Sequence, residues 1–255
     1  MSRPLFALMI VAALAPAVHA DTTPSVDDIL AKHYEAQGGL DKIRKVQTMR
    51  LTGKMTMGPG MESTFMLEKK RPNMQRMEFT FSGMTGISAY DGKQGWQVMP
   101  FMGKKDPEPI AAEDQKEVEE QADFDGSLVD WKAKGATVEV VDKEPVEGAD
   151  AWKLKITKKS GRIEYDYLDA DTYLLVQQEE KITQRGTEID GVSTFSDYKD
   201  VDGLMFPFSM TSGAAGTDHK QTLTFDKIEL GIALEDTLFH MPAVPAHADS
   251  TASKK

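Results

Sequence analysis

From Gln47 onward the chain changes face at every residue. Met49, Leu51, Gly53, Met55 and Met57 fall on one side of the pattern, and Arg50, Thr52, Lys54 and Thr56 on the other. A period of two places successive side chains on opposite faces of a strand, so this segment reads as a half-buried antiparallel strand. The pattern recurs between turn signals. Gly58-Pro59-Gly60 turns the chain, Phe65 and Leu67 continue the apolar face, and Arg71-Pro72-Asn73 turns it again. Met77, Phe79 and Phe81 then alternate with Arg76, Glu78 and Thr80. Consecutive hairpins of this kind make a meander. Further on, Trp152, Leu154 and Ile156 alternate with Lys153, Lys155 and Thr157, and residues 162–167, 173–182, 188–201, 204–210 and 220–230 read as further strands.

Helical spacing is confined to two places. Ser25 stands as an N-cap with Asp28 at the capping-box position, and Val26, Ile29, Leu30, His33 and Tyr34 recur at helical intervals until Gly38-Gly39. The second is residues 113–132, reached from the tight hairpin Tyr90-Asp91-Gly92 to Trp96, through the kinked apolar run Val98-Met99-Pro100-Phe101-Met102-Gly103 and a Lys-Lys-Asp-Pro-Glu-Pro linker. The stretch 90–131 is expected to form a flap over the sheet. The fold expected is mainly β with some helix (α+β): a single large curved antiparallel sheet of roughly ten or eleven strands, an incomplete barrel, since sheets that wide curl or close. An N-terminal helix and a helical lid cover its hollow side. Two helices cannot fill such a concavity, and empty apolar cavities cost stability. An apolar guest is the expected occupant.

Residues 1–20 stand apart. Arg3 precedes an apolar run, and Val18-His19-Ala20 is a small-x-small cleavage signal. The run is too short to span a bilayer and reads as a secretory signal cleaved after Ala20, which implies export to a periplasm. A single folded domain is expected over 21–242, and the Pro-, Ala-, Ser- and Lys-rich residues 243–255 read as a disordered tail. No Cys occurs, which excludes disulfides, thiol nucleophiles and a Cys-linked lipid anchor. A net charge of −11 argues against nucleic acid as a partner. The Lys69-Lys70-Arg71, Lys104-Lys105 and Lys158-Lys159 clusters read as solvated edge or turn residues.

Catalytic signals are missing. The histidines show no metal spacing, no nucleophile elbow occurs, and no nucleophile, base and orienting group converge. His33 reads as buried packing, Asp169 and Asp171 as turn residues, and Glu117, Glu119 and Glu120 as the wet face of a helix. The chain is therefore expected not to be an enzyme, and to need no cofactor and no metal. Methionine is the unusual residue: ten of the 15 lie between Met49 and Met102. Thioethers adapt to varied apolar partners, and they also bind Cu(I). A Met-rich Cu(I)-binding protein therefore stands as an alternative, as does a structural or interaction module whose sheet is filled by its own side chains.

The chain resembles the periplasmic outer-membrane lipoprotein-sorting family, with its LolA/LolB-like fold. The resemblance rests on Tyr34-Glu35-Ala36-Gln37-Gly38-Gly39, on Tyr90-Asp91-Gly92 with Trp96, and on the turn Asp169 to Leu174. It continues in Ser196-Asp197-Tyr198-Lys199, Val201-Asp202-Gly203-Leu204 with Phe206-Pro207, and Leu234 to Pro242. It implies an incomplete barrel with a helical lid and a soluble carrier that moves lipoprotein acyl chains, or another lipid, toward the outer membrane. The partners implied are those chains and transient membrane-protein contacts, for a protein that is otherwise a monomer. On strand parity, Met55, Met57, Phe65, Leu67, Met77 and Phe79 line the sheet face. Trp96, Met99, Phe101, Phe206 and Phe208 complete the expected ligand-binding set, with Met99 and Phe101 at the gate.

Overall fold

A computed structural model describes residues 24–58, 60–184 and 187–243. The expected signal peptide and the expected tail from residue 244 lie outside them. Helix α1 (Val26–Ala36) starts as its sequence requires. Asp28 N–H donates to the Ser25 hydroxyl at 3.2 Å, and the Asp28 carboxylate accepts from Ser25 N–H at 3.3 Å. The box therefore forms with Asp in place of the longer acid. The helix stops where Gly38 takes φ 105°; a Cβ there would lie 2.1 Å from the Gly203 carbonyl oxygen. Helix α2 (Leu40–Lys45) follows.

The strands are β1 (Thr48–Thr56), β2 (Glu62–Lys70), β3 (Met74–Phe81), β4 (Met84–Asp91), β5 (Gly95–Met99) and β6 (Lys104–Pro109). Beyond helix α3 (Gln115–Gln121) come β7 (Thr137–Val146), β8 (Ala149–Thr157), β9 (Ile163–Asp169), β10 (Leu175–Gln184), β11 (Thr187–Val201), β12 (Leu204–Ala214) and β13 (Lys220–Leu230). All thirteen form one open sheet in the order β6-β5-β4-β3-β2-β1-β13-β12-β11-β10-β9-β8-β7, and every neighbouring pair is antiparallel. Two meanders, β1 to β6 and β7 to β13, are thus joined along a single seam, β1 against β13.

The two strands beyond the expected roughly ten or eleven are the edges. The Lys-Lys-Asp-Pro-Glu-Pro run expected as a linker is β6, with Glu108 opposite Gln97 and Pro109 opposite Trp96. An edge strand needs no second row of N–H donors and buries little, so it can carry proline and charge without apolar alternation. The helix expected over 113–132 shortens to α3, and residues 122–136 run as turns. Pro100–Met102 is a short 3-10 turn closed by Gly103. No helix among the described residues is long and apolar enough to cross a membrane.

Topology also places the segment between the meanders. Strands β6 and β7 are the two free edges of the sheet, and residues 110–136 connect them. The contacts of this segment reach both meanders, Gln115 bonding Gly95 on β5 and Glu117 lying 2.9 Å from Arg162 beside β9. We call residues 110–136 the strap.

Candidate functional site

Directly paired residues of antiparallel strands point to the same side, so register assigns faces. Leu51 pairs with Leu67, Leu67 with Met77, and Met77 with Ser88; one step along, Gly53 pairs with Phe65, Phe65 with Phe79, and Phe79 with Gly86. Pairing across β1 to β4 is unbroken, so the alternation read from the sequence holds there. Across the seam the same face continues as Leu223, Phe225 and Ile228, past a bulge between Thr52 and Gly53.

These residues form one apolar floor. Leu51, Met55, Phe65, Leu223, Phe225 and Ile228 are buried, and the Phe65 and Phe225 rings meet edge to face with centroids 5.6 Å apart. Met49, Leu67, Met77, Phe79, Phe206, Phe208 and Met210 pack around them but remain half-buried. Every hydrophobic in this cluster comes from the sheet; none among the described residues comes from the strap.

Of the expected ligand-binding residues, Met55, Phe65, Leu67, Met77, Phe79, Phe206 and Phe208 therefore lie together. Phe101 joins them from the 3-10 turn, its ring centroid 5.6 Å from that of Phe79. Both rings reach over Gly86, where a Cβ would fall 2.7 Å from Phe79 and 2.8 Å from Phe101. Met99 is half-buried on β5, and Met57 stands exposed beyond the end of β1. Trp96 lies elsewhere. It shares the opposite face with Glu68, Arg76 and Ala89, stacked under the Arg76 guanidinium, and its indole N–H donates to the Phe239 carbonyl at 2.7 Å. A one-residue offset in a strand is enough to send a side chain to the other face.

The strap is fixed to both meanders by polar contacts. The Gln115 side chain accepts from Gly95 N–H at 2.8 Å and donates to the Gly95 and Ile110 carbonyls. Lys69 donates to the carbonyls of Gln121 and Asp123 at 3.2 and 2.7 Å. Burial draws its pKa down to about 8, against the opposing charge of Asp123 and Asp125. Arg71 pairs with Asp125 and donates to the Ile43 and Val46 carbonyls. Arg44 pairs with Asp130, and the Tyr34 hydroxyl donates to the Leu128 carbonyl. On the second meander, Arg162 lies 2.9 Å from both Glu117 and Glu120, and Lys158 lies 2.7 Å from Glu164 and 3.6 Å from Glu120 and Glu180.

Three expectations change here. Glu117 and Glu120 face inward onto cations, and only Glu119 of that group fits a wet helix face. Lys158 is held among carboxylates. Lys69 and Arg71 hold the strap. Alternation cannot report this, because the partners on the strap lie tens of residues away along the chain, as Glu117 does from Arg162 and Asp123 from Lys69. Others hold. His33 is buried, its Nδ1 is 2.8 Å from the Tyr173 carbonyl oxygen, and burial lowers its pKa. Asp169 accepts from the N–H groups of Asp171 and Thr172 and closes the turn.

Below α3 the sheet carries acids. Asp166 is fully buried on the same face of β9 as Glu164. Burial first, and Glu164 second, raise its pKa well above the ordinary range, while the Gln178 amide donates to it at 3.0 Å. Burial also raises Glu180. Grooves of about 770 and 690 Å³ flank α3 and are lined mainly by charged side chains such as Glu113, Lys116, Glu179, Asp123 and Lys134. A cavity of about 150 Å³ sits where strap meets floor, between Met49, Phe124, Val129, Leu204 and Phe206.

No family model matches the chain, and no curated protein matches it in sequence. Solved structures do match in fold. A LolA superfamily protein from Nitrosomonas europaea superposes with a TM-score of 0.56 at 14% identity, over 86% of this chain and 98% of that one. An outer membrane lipoprotein-sorting protein domain from Vibrio parahaemolyticus gives 0.55 at 14%, over 83% and 94%. A DUF1329 family protein from Desulfovibrio piger gives 0.56 at 15%, over 86% and 98%. The chain thus shares its fold with these three proteins.

Proposed function

We propose that the chain is an exported carrier that holds an acyl chain, or a similar apolar chain, against its Met- and Phe-lined floor. One observation carries this reading: the floor stays half-buried at Met77, Phe79, Phe206, Phe208 and Met210, and the strap's hydrophobics approach it only at its rim, where Phe124 and Val129 face Met49 and Phe206. Burying apolar surface is worth about 25 cal/mol per Å², or about 0.8 kcal/mol per methylene, so a long chain laid on such a floor gains affinity with each carbon. Unbranched methionines let one floor accept chains of different shape. The likeness to a lipoprotein-sorting domain supports lipoprotein acyl chains as cargo, with residues 1–20 directing a monomer to the periplasm and transient membrane-protein contacts at loading and release.

In this reading Met55, Phe65 and Leu67 form the base, and Met77, Phe79, Phe206 and Phe208 the contact surface. Met57, Met99 and Phe101 form the mouth, and the strap acts as a lid at the opposite end. Trp96 takes no part. Phe79→Glu is expected to abolish uptake of a fluorescent fatty acid while the circular dichroism is unchanged. Undiminished uptake by that variant would remove the floor as the binding site.

A further inference from the structure

Eight large hydrophobic side chains stand exposed among the described residues, and their distribution is uneven. Five of them, Met57, Met61, Met84, Phe101 and Met102, sit on or beside three turns. These turns join β1 to β2, β3 to β4 and β5 to β6. In an antiparallel meander alternate turns lie at the same end of the sheet, two strand spacings or about 10 Å apart, so the three form a row about 20 Å long. The strap is tied down at the opposite end, beside Pro72 and Gly95.

The row has a layered chemistry. Residues 57–61, 81–84 and 99–103 include no charged side chain, in a chain that is 28% charged. Gly60, Gly83 and Gly103 hold φ of 76°, 77° and 81°, and nothing lies within 4 Å of a Cβ built on any of them. The turns are therefore tight and project into open space. Immediately behind them stand charges of both signs: Lys54 paired with Glu62 at 3.3 Å, Lys104 paired with Glu108, and exposed Lys105. Apolar tips backed by a mixed-charge belt reproduce the order of acyl region and headgroups at a bilayer surface. The balance of the belt, in a chain of net charge −11, favours zwitterionic headgroups over anionic ones. A row of projecting apolar knobs fits a deformable surface better than a concave protein site.

We propose that these three turns dock the protein on a phospholipid bilayer, with Met61, Met84, Phe101 and Met102 inserted among the headgroups. Phe101 meets both the bilayer and Phe79, so docking brings the apolar floor to the membrane. The inference does not depend on the cargo, because vesicle binding is read without any fatty acid.

The test is co-sedimentation of the full chain with phosphatidylethanolamine–phosphatidylcholine vesicles, alongside a Met61→Glu/Met84→Glu/Met102→Glu variant. The parent is expected to sediment with vesicles, and the variant to lose about tenfold or more in partitioning. The variant should keep the parent's circular dichroism and fatty-acid uptake. A parent that stays in the supernatant overturns the proposal, as does a variant that sediments equally well. Sedimentation velocity without vesicles supplies the remaining arm. A parent dimer that the variant converts to monomer would assign the row to self-association instead.

Discussion

At the scale of single residues, Asp166 is a buried carboxyl whose pKa is pushed up by burial and by the neighbouring Glu164. Its raised pKa has a direct consequence for stability. Below about pH 3.8 the carboxyl is protonated in both the folded and unfolded chain; above it the unfolded chain loses the proton while the folded one keeps it. The unfolded state then binds fewer protons, so stability falls as pH rises from there toward the folded pKa. Asp166→Asn removes this titration and keeps the amide–carboxyl shape. Urea denaturation across that window should find the variant as stable as the parent or more so at neutral pH, with a flatter profile. An unchanged slope would place the pH dependence elsewhere. The alternation of Met55 and Phe65 was legible in the sequence, and so was the Asp169 turn, because each rests on neighbours in the chain. The inward turn of Glu117 was not, because its counter-charge Arg162 lies 45 residues further along, on the second meander.

At the scale of elements, α3 is too short to be stable alone. It is held by its tethers. Arg162→Leu leaves Glu117 and Glu120 without their nearest guanidinium. Breaking a fully buried pair costs roughly 3–5 kcal/mol. Arg162 keeps 19% of its side-chain exposure, so about 2 kcal/mol is expected, with faster amide exchange concentrated in residues 111–126. Exchange that remains as slow as in the parent would show that the Gln115 and Lys69 contacts suffice. The seam makes a second demand. Gly53 sits at the bulge against β13, and a Cβ there would fall 2.0 Å from the Thr224 carbonyl oxygen. Gly53→Ala forces backbone apart in the middle of the sheet and is expected to cost about 1–3 kcal/mol by chemical denaturation. A neutral result would mean that β1 and β13 separate without loss.

For the whole molecule, the seam decides whether thirteen strands behave as one body. Each meander is built from local hairpins, and only β1 with β13 pairs the N-terminal meander with the C-terminal one across most of the chain length. Phe225 lies at that seam, packed on Phe65. Phe225→Ala is expected to destabilise by about 3–5 kcal/mol. The loss should appear as a single cooperative transition, followed equally by near-ultraviolet signals from Trp96 on one meander and Trp152 on the other. Two separated transitions would show that the meanders fold as independent units. The placement of the strap follows from the same topology, since residues 110–136 connect the two edges that the seam leaves free.

The amino-acid sequence alone determined the antiparallel meanders, their one apolar face, the cap and stop of α1 and the turns between strands. Each depends on side chains a few residues apart, where a period of two, a capping pair or a glycine has a direct steric meaning. Tertiary structure alone decided the edges, the seam and the strap. An edge strand such as Lys104–Pro109 needs no hydrophobic pattern, so nothing local marks it. The cations that hold α3 look like ordinary surface charges until folding brings Glu117 and Glu120 against Lys158 and Arg162. Ion pairing acts through space and leaves no period along the chain, which is why the floor could be read from alternation and the strap across it could not.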